Sequence, residues 1–197
     1  VKLLDRYKFP NQVLLYDGNG EWPGVSYIEK GMQLFTLDAM GRQWIPKDST
    51  FIEKAYQEDL AKVNQLKSIG DLLWSEQYIT EMMSMYGALK NMDSLRSVQR
   101  DLRRGKAYKV LKRAENAAFL QESMLKEDYQ YYMEEDVYTY NFNNLGWWNH
   151  QMGVIDKFIS SSKPFEKQMG HRLKGFVNVL AEDNIKIVLS EEVVDED

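Results

Sequence analysis

Val137-Tyr138-Thr139-Tyr140-Asn141-Phe142-Asn143-Asn144-Leu145-Gly146-Trp147-Trp148 is the stretch on which the fold class turns. Tyr138, Tyr140 and Phe142 alternate with Thr139, Asn141 and Asn143, the period of two that gives a strand one aromatic and one polar face. A lone strand is unstable and has to pair with something distant in sequence. The stretch sits between two segments with helical periodicity. It therefore predicts a chain that leaves a small sheet, makes a long helical excursion and returns.

The partner strands are expected within residues 1–46. Val13-Leu14-Leu15-Tyr16 is a short apolar run followed by Asp17-Gly18-Asn19-Gly20, residue types that accept positive φ in tight turns. Met32 to Leu37 is a second run, followed by Asp38-Ala39-Met40-Gly41 and Gln43-Trp44-Ile45. These read as two hairpin-like units closed by Pro46. Ile185 to Leu189 supplies a further candidate strand.

Between these strands the period changes. Thr50 with Glu53 fits a capping box, and Leu60, Val63, Leu66 and Ile69 follow at helical spacing up to a predicted break at Gly70. Leu72, Leu73, Ile79, Met82, Met83, Tyr86 and Leu89 form a broadly apolar helix. Asn91 to Ser94 is a turn that can cap the next one. There Leu95, Val98 and Leu102 share a face. Ala107, Val110, Leu111, Ala114, Ala117, Ala118 and Leu125 lie about a third of a turn away, which predicts a kink, a short break or a change of packing partner near Gly105. Leu145 to Ile159 and Pro164 to Ala181 read as a helical hairpin, with Pro164 suited to a first turn.

The expected class is thus α+β, predominantly helical: an antiparallel helical bundle (about 50–134 and 145–181) with a small sheet from the N-terminal hairpins and strand 137–142. The expected organisation is a β subdomain of 1–46 plus 137–143, with 185–189 as an optional addition, a helical insertion at 48–136, a helical hairpin at 144–181 and an acidic tail at 190–197.

Composition narrows the function classes. The chain has 197 residues, 44% hydrophobic and 28% charged, with a net charge of −5, ordinary values for one or two globular domains. The acidic balance argues against a general nucleic-acid binder. With no cysteine, disulfides, thiolate nucleophiles and cysteine metal sites are excluded. No apolar run reaches the ~18 residues of a membrane-spanning helix. The chain starts at Val1, so it reads as a processed product, an excised domain or a fragment, from which any signal peptide would already be gone. Phosphate-loop, dinucleotide, nucleophile-elbow and zinc-protease signatures are missing, and no cofactor or catalytic residue is expected.

Weaker candidates remain. Asp17-Gly18-Asn19-Gly20-Glu21 begins like a calcium loop, but Trp22 and Ile28 stand where glycine and an acidic ligand are required, so a plain turn is favoured. His150 and His171 fall at similar heights in the 145–181 hairpin, with Asp156 and Glu166 close in sequence, and could form a metal or acid–base site; two partly exposed helix histidines are the blander alternative. Arg96, Arg100, Arg103 and Arg104 share one helix face, followed by Lys106, Lys109, Lys112 and Arg113. Residues 93–113 hold eight basic and two acidic residues, and 114–136 hold seven acidic residues against Lys126. The four arginines are candidate partner-binding residues, against intramolecular pairing or solvation. Tyr129, Tyr131, Tyr132, Tyr138, Tyr140, Phe142, Trp147 and Trp148 could stack on sugars or bases, with Tyr138, Tyr140, Trp147, Trp148 and His150 the sharpest ligand-binding candidates. Packing of a sheet face on helices is the alternative. Met82, Met83 and Met85 could line an adaptable groove or fill gaps in a core.

Two strings carry a resemblance. Gly31 to Gly41 with Trp44-Ile45-Pro46 is similar to a strand–turn–strand unit in β-domains of Bacteroidetes cell-envelope proteins. Tyr138 to Phe142 with Leu145-Gly146-Trp147-Trp148-Asn149 resembles the strand and turn that end such domains, with His150 and Gln151 where an acidic residue is usual. The resemblance implies an exported, surface-associated or lipid-anchored protein with a binding or structural role, and no catalytic residues. The resulting expectation is a non-enzymatic interaction or structural protein of a bacterial envelope that binds a protein partner through a helical surface. The competing expectations are a glycan-binding or hydrolytic domain using the aromatic cluster and His150, and a subunit of a phage or secretion assembly.

Overall fold

A computed structural model describes residue 7 and residues 22–192. Among these there are seven α-helices and no strand: α1 (Val25–Gly41), α2 (Ser49–Ser68), α3 (Leu72–Tyr86), α4 (Asp93–Arg104), α5 (Lys106–Tyr138), α6 (Leu145–Ile159) and α7 (Pro164–Glu192), with one 3-10 turn at Phe142–Asn144. The α+β expectation is therefore overturned in favour of an all-helical fold. No helix among the described residues is long and apolar enough to cross a membrane.

The stretch that suggested a strand is a helix end, a turn and a helix start. α5 runs to Tyr138, and the chain then closes a Schellman motif: Asn141 N–H donates to Asp136 C=O at 2.9 Å and Tyr140 N–H to Val137 C=O at 3.3 Å, with Tyr140 at φ 53° in the left-handed position that usually holds glycine. The Asp136 carboxylate gathers the rest. It accepts from Asn141 Nδ2 at 3.2 Å, Asn144 Nδ2 at 2.8 Å and Trp148 Nε1 at 2.7 Å. The amides met here are thus satisfied locally rather than across a ladder. Tyr138 and Tyr140 are 88% and 70% exposed, so the expectation that they would be buried against a partner strand is also corrected; the Phe142 side chain lies outside the described residues.

The other strand assignments fail for related reasons. Met32 to Leu37 lies inside α1, where Leu34, Leu37 and Met40 face inward, and the hairpin turn read at Gly41 is a second Schellman motif. Trp44 N–H donates to Ala39 C=O at 2.9 Å, Gln43 N–H to Met40 C=O at 3.1 Å, and Gln43, not a glycine, takes φ 63°. Ile185 to Leu189 continues α7. The run Val13–Tyr16 and the turn Asp17–Glu21 lie outside the described residues.

The predicted breaks are found. Gly70 ends α2 at φ 79°, and Gly105 separates α4 from α5 at φ −59°, ψ 139°. Asp48, rather than a Thr50–Glu53 box, caps α2 by accepting from Thr50 N–H at 2.9 Å and Phe51 N–H at 3.0 Å. Replacing Tyr140 with glycine should raise stability by about 0.5–1 kcal/mol, the left-handed strain removed less the extra freedom of the unfolded chain. A urea melt that shows Tyr140→Gly no more stable than the wild type would refute that reading of the turn.

The chain divides into two compact units, Val1–Lys109 and Val110–Asp197. In the first, Leu37 and Met40 of α1, Ile52, Tyr56 and Val63 of α2, Ile79, Met82 and Tyr86 of α3, and Met92 and Leu95 around the start of α4 form one apolar core. Met82 is fully buried, with Met83 and Met85 packed half-buried on this core, so the methionines fill gaps. In the second unit Ala118 and Tyr129 of α5, Ile155 of α6 and Met169, Leu173 and Val177 of α7 are the buried centre. α7 approaches the end of α6 so closely that a Cβ on Gly170 would stand 2.6 Å from the Ile159 backbone nitrogen, a contact only glycine permits.

A candidate protein-binding surface

Each unit ties its helices with an interior carboxylate. Asp59 lies on the core-facing stripe of α2 and is 2% exposed. It accepts from Lys30 Nζ of α1 at 2.5 Å and from the Tyr78 and Tyr86 hydroxyls of α3 at 2.8 and 2.7 Å. Burial, followed by the neighbouring Asp59 charge and its hydrogen bond, pushes both phenols well above their ordinary range. Glu76 of α3 accepts from Gln99 Nε2 at 2.8 Å and from Arg103 Nε at 2.9 Å, fastening α4. In the second unit Glu122 of α5 accepts from Arg172 Nε of α7 at 2.8 Å and from Lys126 Nζ at 2.7 Å. Burial alone would raise the Glu122 carboxyl, but the hydrogen bonds from Arg172 and Lys126 outweigh it and hold it below the ordinary value. All of these groups are paired internally, and no buried polar side-chain atom among the described residues lacks a partner. Such knots hold helices together.

The residues singled out in the sequence are placed as follows. Arg103 is engaged by Glu76, and Arg96 pairs with Asp93 at 3.0 Å. Arg100 and Arg104 are exposed and make no ion pair among the described residues. Arg103 and Arg104 also stand in the last turn of α4, where cations complement the helix dipole.

Part of the aromatic set does assemble. Tyr129 is fully buried, with Trp147 and Trp148 centroids each 6.1 Å away. Trp147 stands 4.9 Å from Trp148 edge-on and 4.6 Å from Tyr132. These rings form the seam between α5 and α6 and are spent on each other; Tyr138 and Tyr140 stand apart from it on the outside. His150 and His171 are both exposed. Asp156 lies 3.5 Å from Lys174, and Glu166 accepts from Lys163 and Ser161, each at 2.7 Å, so both carboxylates are turned to other partners. No group of three or more metal-ligating side chains occurs among the described residues.

The surface that sequence reasoning missed is the back of α5. Leu111, Ala118, Glu122, Leu125 and Tyr129 form its inward face. At about 100° per residue, a row that starts on the flank and drifts to the opposite side carries Val110, Ala117, Met124, Tyr131 and Tyr138, each seven residues after the last, with Leu120 between them. Val110 is 55% exposed, Leu120 66%, Met124 59% and Tyr131 61%. A sustained seven-residue repeat of apolar side chains is the signature of a helix that packs along a second helix. The interval could have been read from the sequence, but attention to the shift of phase at Gly105 grouped Val110 and Ala117 with the inward residues. α1 carries a shorter outward row, Val25, Ile28, Met32 and Phe35, at spacings of three and four.

Among the described residues, fold and surface together define a helical protein whose interior carboxylates are paired within each unit and whose outward helix faces carry apolar rows. No protein-family model, curated protein or solved structure matches it.

Proposed function

We propose that this is a non-enzymatic interaction or structural protein that binds a protein partner through a helical surface, in a bacterial cell envelope. One observation carries the reading: the outward side of α5 holds exposed apolar side chains at seven-residue intervals, with Arg113, Glu127 and Glu134 between them, over roughly 40 Å of helix, away from a face already packed. Large apolar rows on a surface mark contact sites, and this row fits a helix better than it fits a small ligand. Arg100 and Arg104 of α4, in the first unit, are a separate candidate contact for an acidic partner. The envelope setting rests only on the likeness in sequence of residues 31–46 and 138–149, since both stretches are helix and turn rather than strand, and cell fractionation tests it separately. A role as an assembly subunit draws on the same α5 row. The glycan-binding or hydrolytic alternative has less support, because the tryptophans are packed together and Asp156 and Glu166 are paired with other groups.

The direct test is a photo-crosslinking amino acid at position 120, expressed in cells. Irradiation is expected to yield a defined protein adduct that disappears when Met124 and Tyr131 are changed to glutamate. If position 120 captures no polypeptide while circular dichroism shows the helices intact, the reading is wrong.

A further inference from the structure

We infer that the partner of the α5 row is α5 of a second copy of this chain, lying antiparallel; this rests on the proposed interaction role and names its partner. The polar residues within the row decide between partners. Following the row at the intervening heptad position gives Arg113, Leu120, Glu127 and Glu134, all exposed. The basic residue precedes the centre and the acidic ones follow it.

Two copies related by a twofold axis near residue 122, the midpoint of Lys106–Tyr138, bring Leu120 of one helix against Met124 of the other. Residue 122 − n then meets residue 122 + n. Arg113 falls opposite Tyr131, with Glu127 and Glu134 one turn to either side of it. The guanidinium can therefore lie over a ring and between two carboxylates, and the twofold repeats this at the other end. A parallel pair would instead put Arg113 beside Arg113, Glu127 beside Glu127 and Glu134 beside Glu134, like charges throughout. Arg113 and Glu127 make no ion pair with other described residues, and Glu134 is bonded only by Gln130 Nε2 at 2.9 Å. The charges that select the antiparallel register thus remain available for it. The same arrangement is self-complementary, as a twofold interface requires.

The row drifts by about 20° per seven residues on a straight helix, so the pair is expected to coil gently left-handed. With few apolar knobs per copy, the dimer is expected to form in the micromolar range rather than the nanomolar.

The test is light scattering and sedimentation velocity on the full chain from about 1 to 200 µM, a span chosen around a micromolar affinity. The wild type is expected to move from one to two copies across that range. Arg113→Glu alone, and Glu127→Arg with Glu134→Arg, should each remain monomeric at the highest concentration. The triple exchange in one chain, and an equimolar mixture of the two reversed variants, should dimerise again. Circular dichroism on every variant shows whether the helices persist, and the mixture guards against misfolding as the cause of a loss. A wild type that stays monomeric throughout, or charge reversals that leave dimerisation unchanged, overturns the antiparallel α5 pair. If the crosslinker at position 120 then captures a different polypeptide, the proposed interaction role survives; if it captures none, both fall.

Discussion

The Asp59→Ala variant is expected to lose about 3–5 kcal/mol of stability in the first unit, the range for removing one partner of a buried charge pair. Asp59 is the shared acceptor for three side chains from two other helices. Its loss leaves the Tyr86 hydroxyl, on a residue with no exposed surface, without an acceptor, and an unmade buried hydrogen bond costs about 1–3 kcal/mol. Tyr78 is half-buried and loses its acceptor too. Lys30 contributes less, because its side chain is 22% exposed and can turn to water. Asp59→Asn keeps the shape and one acceptor oxygen but not the charge, so it should cost about 1–2 kcal/mol. Urea unfolding followed by far-ultraviolet circular dichroism orders the three proteins. Both variants unfolding within about 0.5 kcal/mol of the wild type, the spread of neutral surface changes, would mean that the knot contributes nothing.

The helices from residue 49 to 181 were largely legible because their signals are local. Gly70, Gly105 and Pro164 each stand where a helix ends or begins, and backbone preference alone places them. The strands were misread where that shorthand failed. Both α1 and α5 end with a left-handed residue that is not glycine, Gln43 and Tyr140, so neither end announced itself. With the stop hidden, the alternating rings of residues 138–142 looked like a pleat, although five residues of alternation are too few to tell a strand from a frayed helix end by period alone. The six-residue apolar run of α1 had the same ambiguity, since that helix is apolar on two sides. Interior carboxylates were invisible for a different reason. Asp59, Glu76 and Glu122 occupy core-facing positions, and a polarity pattern counts them as surface until the partners from distant helices are in place.

For Glu122 the expected effect depends on pH. Glu122→Gln should cost the second unit about 2–3 kcal/mol at neutral pH, the range for hydrogen bonds to a charged group, because the neutral amide cannot hold Arg172 and Lys126 as the carboxylate does. The figure stays below that for Asp59 because the Arg172 side chain is 39% exposed and water takes over part of its solvation. The sign follows from linkage. The folded carboxyl sits below its ordinary value of 4.5, so the native state holds the proton less readily than the unfolded chain. Its contribution is therefore fully present above about pH 4.5 and is lost as the pH falls through the lowered folded value. The gap between wild type and Glu122→Gln should then be constant from pH 8 to about pH 5 and close progressively below pH 4.5, as the wild-type side chain becomes neutral like its replacement. Other acid-labile groups, Glu53 and Glu166 among them, are common to both proteins and cancel in the difference. Melts of the pair at matched pH measure it directly. A gap that is absent at neutral pH, or that widens on acidification, would show that Arg172 and Lys126 do not stabilise the folded unit through the Glu122 charge.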